Sequence, residues 1–448
     1  MDLDPTAFLA IPSDFPTCPQ LGAEGSRFVR LQISQGCRGV PRFAQSPANL
    51  YTLGAAMRIE RIQVRNFKAF KNVELNNLPL FSVFIGPNGS GKSTLFDVFG
   101  FLHDALLHNV RQALQKRGGF KEVVTRGQDG PIEFEFKFRE SETDPLVTYQ
   151  LSIGLDDNAP VIQRELLKYR RGQHGQPWHF LDFKKGAGQV VTNEEDYGKP
   201  DAKMKRDHQT LESPDILAIK GLGQFQRFRQ VSAFRRLIED WHVSDFHISA
   251  ARGSQEAGYA EHLSVLGDNI ALVAQYMYEQ HPKEFQKILH KMAQRVPGIT
   301  KVEAVNTQDG RVILRFQDGS FRDPFVARYV SDGTIKMFAY LLLLHDPKPH
   351  PLMCVEEPEN QLHPELLVQL AEEFRDYADR GGQVFVSTHS PDFVNAVQLR
   401  EIFWLQKRDG YTEIHRADED KLLTQLVAEG DLPGFLWKQK LYGGLNPA

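Results

Sequence analysis

A chain of 448 residues, 41% hydrophobic and 25% charged with a net charge of −4, has the balance of a globular protein with room for two or three domain-sized units. No apolar run approaches the ~18 residues of a membrane span, so no membrane partner is expected. Three cysteines, Cys18, Cys37 and Cys354, are too sparse for a disulfide scaffold, lack metal-ligand spacing, and suit a reducing, cytoplasmic setting.

Residues 1–56 scatter proline, glycine and serine without period, as in Ile11-Pro12-Ser13-Asp14-Phe15-Pro16, and read as a disordered extension. They lack the basic start and apolar core of a secretory signal. Arg27, Arg30, Arg38 and Arg42 lean toward a transit peptide; Asp2, Asp4 and Asp14 lean against it. Met57 opens a patterned strand, Arg58-Ile59-Glu60-Arg61-Ile62-Gln63-Val64, and is expected to be the natural start. Phe81-Ser82-Val83-Phe84-Ile85 is an apolar run ending at a glycine, as a buried parallel strand would.

Gly86-Pro87-Asn88-Gly89-Ser90-Gly91-Lys92-Ser93, followed by Thr94, fits G-x-x-x-x-G-K-[ST] between that strand and a helix. Glycines let backbone N–H groups converge on phosphates, and a helix N-terminus adds a favourable dipole. Lys92 would reach the β- and γ-phosphates, and Ser93 would ligate Mg²⁺. A glycine-rich turn with an accidental Lys-Ser leaves the flanking strand and helix unexplained.

Helical spacing of apolar residues continues over 95–114. Residues 131–169 alternate like antiparallel strands, with Ile132, Phe134, Phe136 and Phe138 on one face. The polar, Gly/Lys-rich stretch 170–210 reads as an exposed loop or hairpin. Residues 164–236 carry 15 Lys/Arg against 9 Asp/Glu, which fits an uneven solvated surface or a face for a nucleic-acid backbone. Residues 213–295 read mainly as helices, including 269–280 and 282–295, and 300–317 as strands.

Ser331-Asp332-Gly333-Thr334 precedes an apolar helix. Ser331 is a good N-cap, and the same helix end can bind a phosphate. Pro351-Leu352-Met353-Cys354-Val355-Glu356-Glu357 is an apolar strand ending in two carboxylates. Strand ends at the carboxyl edge of a parallel sheet face the ligand crevice. Glu356 is therefore expected beside the phosphate loop, holding magnesium, and Glu357 beside the attacking water. Val384-Phe385-Val386-Ser387-Thr388 is a further apolar strand, ending at His389. That imidazole can meet a γ-phosphate or be a satisfied histidine at a strand end.

In this order the phosphate loop, the Ser-x-Gly-Thr segment, the Glu-Glu strand end and Ser387-Thr388-His389-Ser390-Pro391 resemble the ABC ATPase superfamily. In detail they are similar to its RecF/SMC/OLD-like branch, whose bacterial members include chains labelled AAA family ATPases. Glu356-Glu357-Pro358-Glu359-Asn360-Gln361-Leu362-His363-Pro364 looks like that branch's Walker B and D-loop. Arg65-Asn66-Phe67-Lys68-Ala69-Phe70 looks like its opening N-F-K-x-F segment. The resemblance implies an α/β fold: an ABC-type P-loop NTPase head with an antiparallel β-subdomain and a mostly helical insertion. The head would divide into 57–200 and 325–448, with the insertion at 201–324.

ATP and Mg²⁺ are the implied cofactors. Residues 86–94 would bind ATP, with Arg65 and Lys68 on ribose or phosphate. Lys92, Glu357 and His389 would carry catalysis, and Ser93 and Glu356 would hold Mg²⁺. Gln128 is the best Q-loop metal candidate, and it equally fits a plain turn. Ser331, Asp332 and Gly333 would complete the site of a second copy in a homodimer. Departures are Glu356 where many members carry Asp, no Gly-Gly-Gln after the signature, no zinc-hook Cys-x-x-Cys and no long coiled coil.

The expected function is an ATPase coupled to DNA in repair or anti-phage defence, acting with a separately encoded effector. The rivals are a nucleotide-gated protein-interaction module, an OLD-like nuclease and a transporter ATPase. Asp418-Glu419-Asp420 is an acidic cluster, but the 58 residues after Ser390 are too few for a nuclease domain of the OLD type.

Overall fold

Strands with apolar side chains on both faces need cover on both sides, and a parallel sheet with helices above and below supplies it. The computed structural model describes residues 57–139, 144, 146–169, 177–196, 203–244, 246 and 248–443; the expected extension over 1–56 lies outside them. In it, His242–Ser244, Leu352–Glu356, Gln383–Thr388, Phe81–Ile85 and Ile402–Arg408 lie side by side in parallel, in that spatial order. Tyr411–Arg416 closes one edge antiparallel. Phe81–Ile85 and Gln383–Thr388 are buried at every position. The two-residue period sends Phe84, Phe385, Cys354 and Phe403 into one core and Val83, Val386, Met353 and Trp404 into the other.

One sequence expectation fails here. The acidic strand is not next to the phosphate-loop strand. The histidine strand lies between them, pairing Ser387 with Glu356 on one side and Thr388 with Ile85 on the other. Parallel neighbours are joined by long crossovers, so order along the chain does not fix order in the sheet.

The first core lies between the parallel sheet, the helix Lys92–Leu107 and an eight-stranded antiparallel sheet. That sheet contains Arg58–Phe67, Ile132–Arg139, Val147–Asp156 and Ala159–Tyr169. Ile132, Phe134, Phe136 and Phe138 are all buried in it, as their alternation predicts. Within 170–210, Trp178–Lys184 and Ala187–Val191 form a hairpin and Arg206–Thr210 adds an edge strand. The single helix expected over 95–114 is two, Lys92–Leu107 and Val110–Gln115. Asn109 divides them: its side chain accepts from the Gln112 N–H at 2.8 Å and caps the second helix.

The second core covers the opposite face with Ile270–Gln280, Pro282–Arg295, Asp332–Leu344 and Pro364–Asp379. It also includes residues of Ile299–Asn306 and Arg311–Asp318, which pair with Gln255–Glu256 and Phe325–Val326 in a four-stranded antiparallel sheet. Residues 201–324 therefore combine helices with strands, and one of these, His242–Ser244, belongs to the parallel sheet. Among the described residues no helix is long and apolar enough to cross a membrane.

Candidate functional site

The strand Phe81–Ile85 leads into a loop whose backbone only glycine fits. Gly89 and Gly91 have φ of 78° and 108°. A Cβ on Gly91 would lie 2.4 Å from Thr412 Oγ1, and one on Gly86 would lie 2.8 Å from the Leu405 carbonyl. The edge hairpin thus backs the loop tightly, and the Thr412 hydroxyl donates to the Ser90 carbonyl at 2.8 Å. The helix Lys92–Leu107 has no side-chain cap, so its first N–H groups remain available to an anion. Ser90 Oγ is buried without a partner among the described residues. Ser93 is exposed on the first turn.

Lys92 is buried, and its ammonium donates to the carbonyls of Gly86 at 2.8 Å and Pro87 at 3.4 Å. It also stands 3.8 Å from Glu357 Oε1. Burial lowers the Lys92 pKa; Glu357, Glu359 and Glu356 pull it back up.

Glu356 ends its strand, and the Glu357 N–H donates to the Ser387 carbonyl at 2.9 Å. Glu357 then takes φ of 45°, a left-handed conformation that costs a non-glycine residue about 1 kcal/mol or more. Its Oε2 is 2.7 Å from Nδ1 of His389, a half-exposed side chain. Glu359 completes the group: its Oε1 accepts from Thr388 Oγ1 at 2.7 Å and from the His389 and Ser390 N–H groups at 3.0 and 3.2 Å. Its Oε2 is buried without a partner among the described residues. Burial, then the hydrogen bond and charge of Glu359, push the Glu357 pKa up to about 7, against the opposing pull of His389. A carboxyl group titrating there can take a proton at neutral pH.

The sequence assigns Glu359 no role beyond its place in the Glu356–Pro364 motif. The sequence shows it only as a third glutamate two residues past the Glu356-Glu357 pair, after Pro358.

The helix Asp332–Leu344, part of the other core, approaches the segment that follows Glu357. Ser331 is exposed and caps it, its Oγ accepting from the Thr334 N–H at 3.3 Å and sharing a hydrogen bond with the Thr334 hydroxyl at 2.7 Å. Asp332 pairs with Arg252. A Cβ on Gly333 would lie 2.8 Å from the Gln361 carbonyl, so glycine permits this approach. The buried Lys336 donates to the Asn360 carbonyl at 2.8 Å.

Among the described residues, hydrogen bonds and ion pairs join Lys92, Glu357, Glu359 and His389 and do not extend to Arg65, Lys68 or Gln128. Lys68 pairs with Asp97, on the phosphate-loop helix, at 2.6 Å. Arg65 lies 3.4 Å from Glu133. Gln128 sits in a turn and donates to the Tyr411 hydroxyl at 3.1 Å, one residue from the Thr412 that backs the loop.

A family model described as "AAA domain, putative AbiEii toxin, Type IV TA system" matches residues 81–395. Curated relatives include "DNA replication and repair protein RecF" from Listeria innocua serovar 6a and from Listeria welshimeri serovar 6b. Each is 29% identical over 145 residues, a stretch that spans 30% of this chain and 39% of the relative's length. Among solved structures, an SMC head bound to the C-winged helix domain of ScpA overlays with a TM-score of 0.47 at 13% identity, over 80% of this chain and 96% of that one. The SMC head domain from Thermotoga maritima overlays with a TM-score of 0.41 at 13% identity, over 80% and 98%.

Proposed function

The chain belongs to the AAA-domain family matched over residues 81–395, as an ABC-type ATPase of the RecF/SMC-like branch, and from that premise we propose that it binds Mg²⁺-ATP and hydrolyses it. The observation that carries this reading is the contact group Lys92–Glu357–His389, drawn from a helix start and two neighbouring strand ends. The orphaned Ser90 Oγ and Glu359 Oε2 and the open space over Gly89 fit a polyphosphate and its cation. Ser93 and Glu356 would hold the Mg²⁺, which neutralises phosphate charge when bound.

The chain's own residues divide the remaining work. Loop N–H groups and the helix N-terminus grip the phosphates, and Lys92 meets the β- and γ-oxygens. Glu357, with its pKa near neutrality, accepts a proton from the attacking water. His389 steadies that carboxylate through Nδ1, and Glu359 steadies the His389 backbone. Arg65 and Lys68 would meet ribose or phosphate, and Gln128, held by Tyr411 behind the loop, would be the Q-loop residue toward Mg²⁺. Ser331, Asp332 and Gly333 of one copy complete the site of a second, so that ATP controls a homodimer.

The output of that switch is DNA-linked, in repair or anti-phage defence, with a separately encoded effector. The RecF match and the toxin–antitoxin wording of the family description support it. So does a cavity of about 1110 Å³ lined by Arg227, Arg229, Arg235 and Arg236 together with Glu194 and Glu195. Phe225, 55% exposed with Arg227 5.9 Å from its ring centroid, offers an aromatic face beside these arginines, which suits a stacked base and its phosphates. ATP turnover measured with single-stranded, duplex and gapped DNA at two salt concentrations tests this. Stimulation that fades at high salt is expected; indifference to every nucleic acid would replace the DNA reading with a protein-interaction module.

A further inference from the structure

The ATP site occupies the carboxyl ends of the parallel strands. The opposite ends carry a second group of chemically active side chains. His103, His242, His262 and His350 line one cavity of about 450 Å³, although they lie far apart in sequence. His242 lies on the edge strand His242–Ser244, paired with Met353. His350 precedes the strand Leu352–Glu356, and His262 comes from a loop before the helix Ile270–Gln280.

Two of these residues, His262 and His350, cluster with Asp346. His262, Asp346 and His350 each offer one donor atom, all within 4.8 Å of one another. His262 Nδ1 is 2.7 Å from Asp346 Oδ2, and the Asp346 side chain is only 5% exposed. The other Asp346 oxygen accepts from the Lys348 N–H at 2.8 Å, which orients the carboxylate. His350 Nδ1 donates to the Asp240 carbonyl at 2.8 Å. That bond fixes the tautomer and leaves the lone pair on Nε2, the arrangement that metal-binding histidines use.

The unexplained atoms are the second observation. His350 Nε2 and His242 Nε2 are both buried without a partner among the described residues. His242 is 95% buried, and its ring centroid is 4.9 Å from that of His350. Buried polar atoms are ordinarily satisfied, so two orphaned imidazole nitrogens on one cavity call for a ligand.

We propose that His262, Asp346 and His350 bind a divalent first-row transition ion, zinc by donor chemistry, with His242 as the adjacent fourth donor. Imidazole with one carboxylate matches that class, whereas magnesium and calcium select oxygen. The ion would join the loop carrying His262, the edge strand and the segment leading into the acidic strand. Strand rise of ~3.3 Å per residue puts His350 about 20 Å from Glu356, so this is a structural tie separate from the nucleotide's magnesium.

The test uses the untagged full chain, stripped with chelator and titrated with Zn²⁺ against a chromophoric competitor, then with Co²⁺ for ligand-field bands. One equivalent bound with a raised thermal midpoint is expected. His350→Gln and Asp346→Asn should each weaken that equivalent by about tenfold or more and abolish the thermal shift, with far-UV circular dichroism unchanged. His389→Gln, which alters the other acid–histidine group, should keep it. If His350→Gln does not fold, His262→Gln at its partly exposed position replaces it. The proposal is overturned if the wild type binds no more Zn²⁺ or Co²⁺ than the folded His350 or His262 variant, or if His389→Gln is the variant that loses the ion.

Discussion

The strand Leu352–Glu356 has a histidine–carboxylate group at each end, and burial acts on the two in opposite directions. Past its carboxyl end, burial and the neighbouring Glu359 raise Glu357 to a pKa of about 7. Before its amino end, burial lowers His350 and its neighbour His242, which favours their neutral forms, while the hydrogen bond to Asp346 raises His262. Desolvation penalises whichever form is charged, so it makes a base of the acid and a pair of lone-pair donors of the histidines. The same residue types thus suit proton transfer at one end and ligand binding at the other. Backbone strain marks only the first: Glu357 has φ of 45°.

The largest effect that sharpens this contrast is expected from Lys92→Ala. Removing the ammonium that contacts the loop carbonyls and Glu357 should lower hydrolysis by about 10³-fold, read as phosphate release. Zinc binding at the histidine end should not change.

Next comes Ser331, where a cap and a phosphate donor make different demands. Ser331→Asp keeps a good N-cap, so the thermal midpoint should hold, while the added charge should repel the partner's γ-phosphate and cut hydrolysis by about tenfold or more. Ser331→Ala should cost about 1 kcal/mol of stability by losing the cap. Full turnover in folded Ser331→Asp would reduce Ser331 to a cap.

The smallest effects are in pH dependence. Hydrolysis should rise with pH through about 7 as Glu357 ionises. Glu359 raises that pKa and His389 lowers it, so Glu359→Gln should move the limb to lower pH and His389→Ala to higher pH. The acid protonated in the fold also stabilises it: this contribution is full below the unfolded value of 4.5 and is lost as pH rises through about 7. Movement of both variants in one direction would break the assignment of the limb to Glu357.

Much of the nucleotide end was legible because each of its parts is a short local pattern. The phosphate loop, the Glu356-Glu357 strand end and His389 each terminate an apolar run, and periodicity found all three strands. Their lateral order was not legible, since nothing local to Gln383–Thr388 says that it separates the other two. Glu359 was hidden because its partners lie 29 to 31 residues away, on Thr388, His389 and Ser390. The histidine end was invisible for a stronger form of the same reason. His242 lies on a three-residue strand too short to show a period, and the Asp346–His262 contact spans 84 residues. The break at Asn109 was missed because apolar spacing continues across it while the capping bond does not register in periodicity.

The central claim is that Glu357 accepts the proton in ATP hydrolysis, and Glu357→Gln measures it most directly. The amide keeps the size of the side chain and loses the base. The variant should bind ATP at least as well as the wild type, hydrolyse it about 10²-fold or more slowly, and accumulate as an ATP-bound dimer by light scattering. Undiminished turnover in the folded variant would contradict the account.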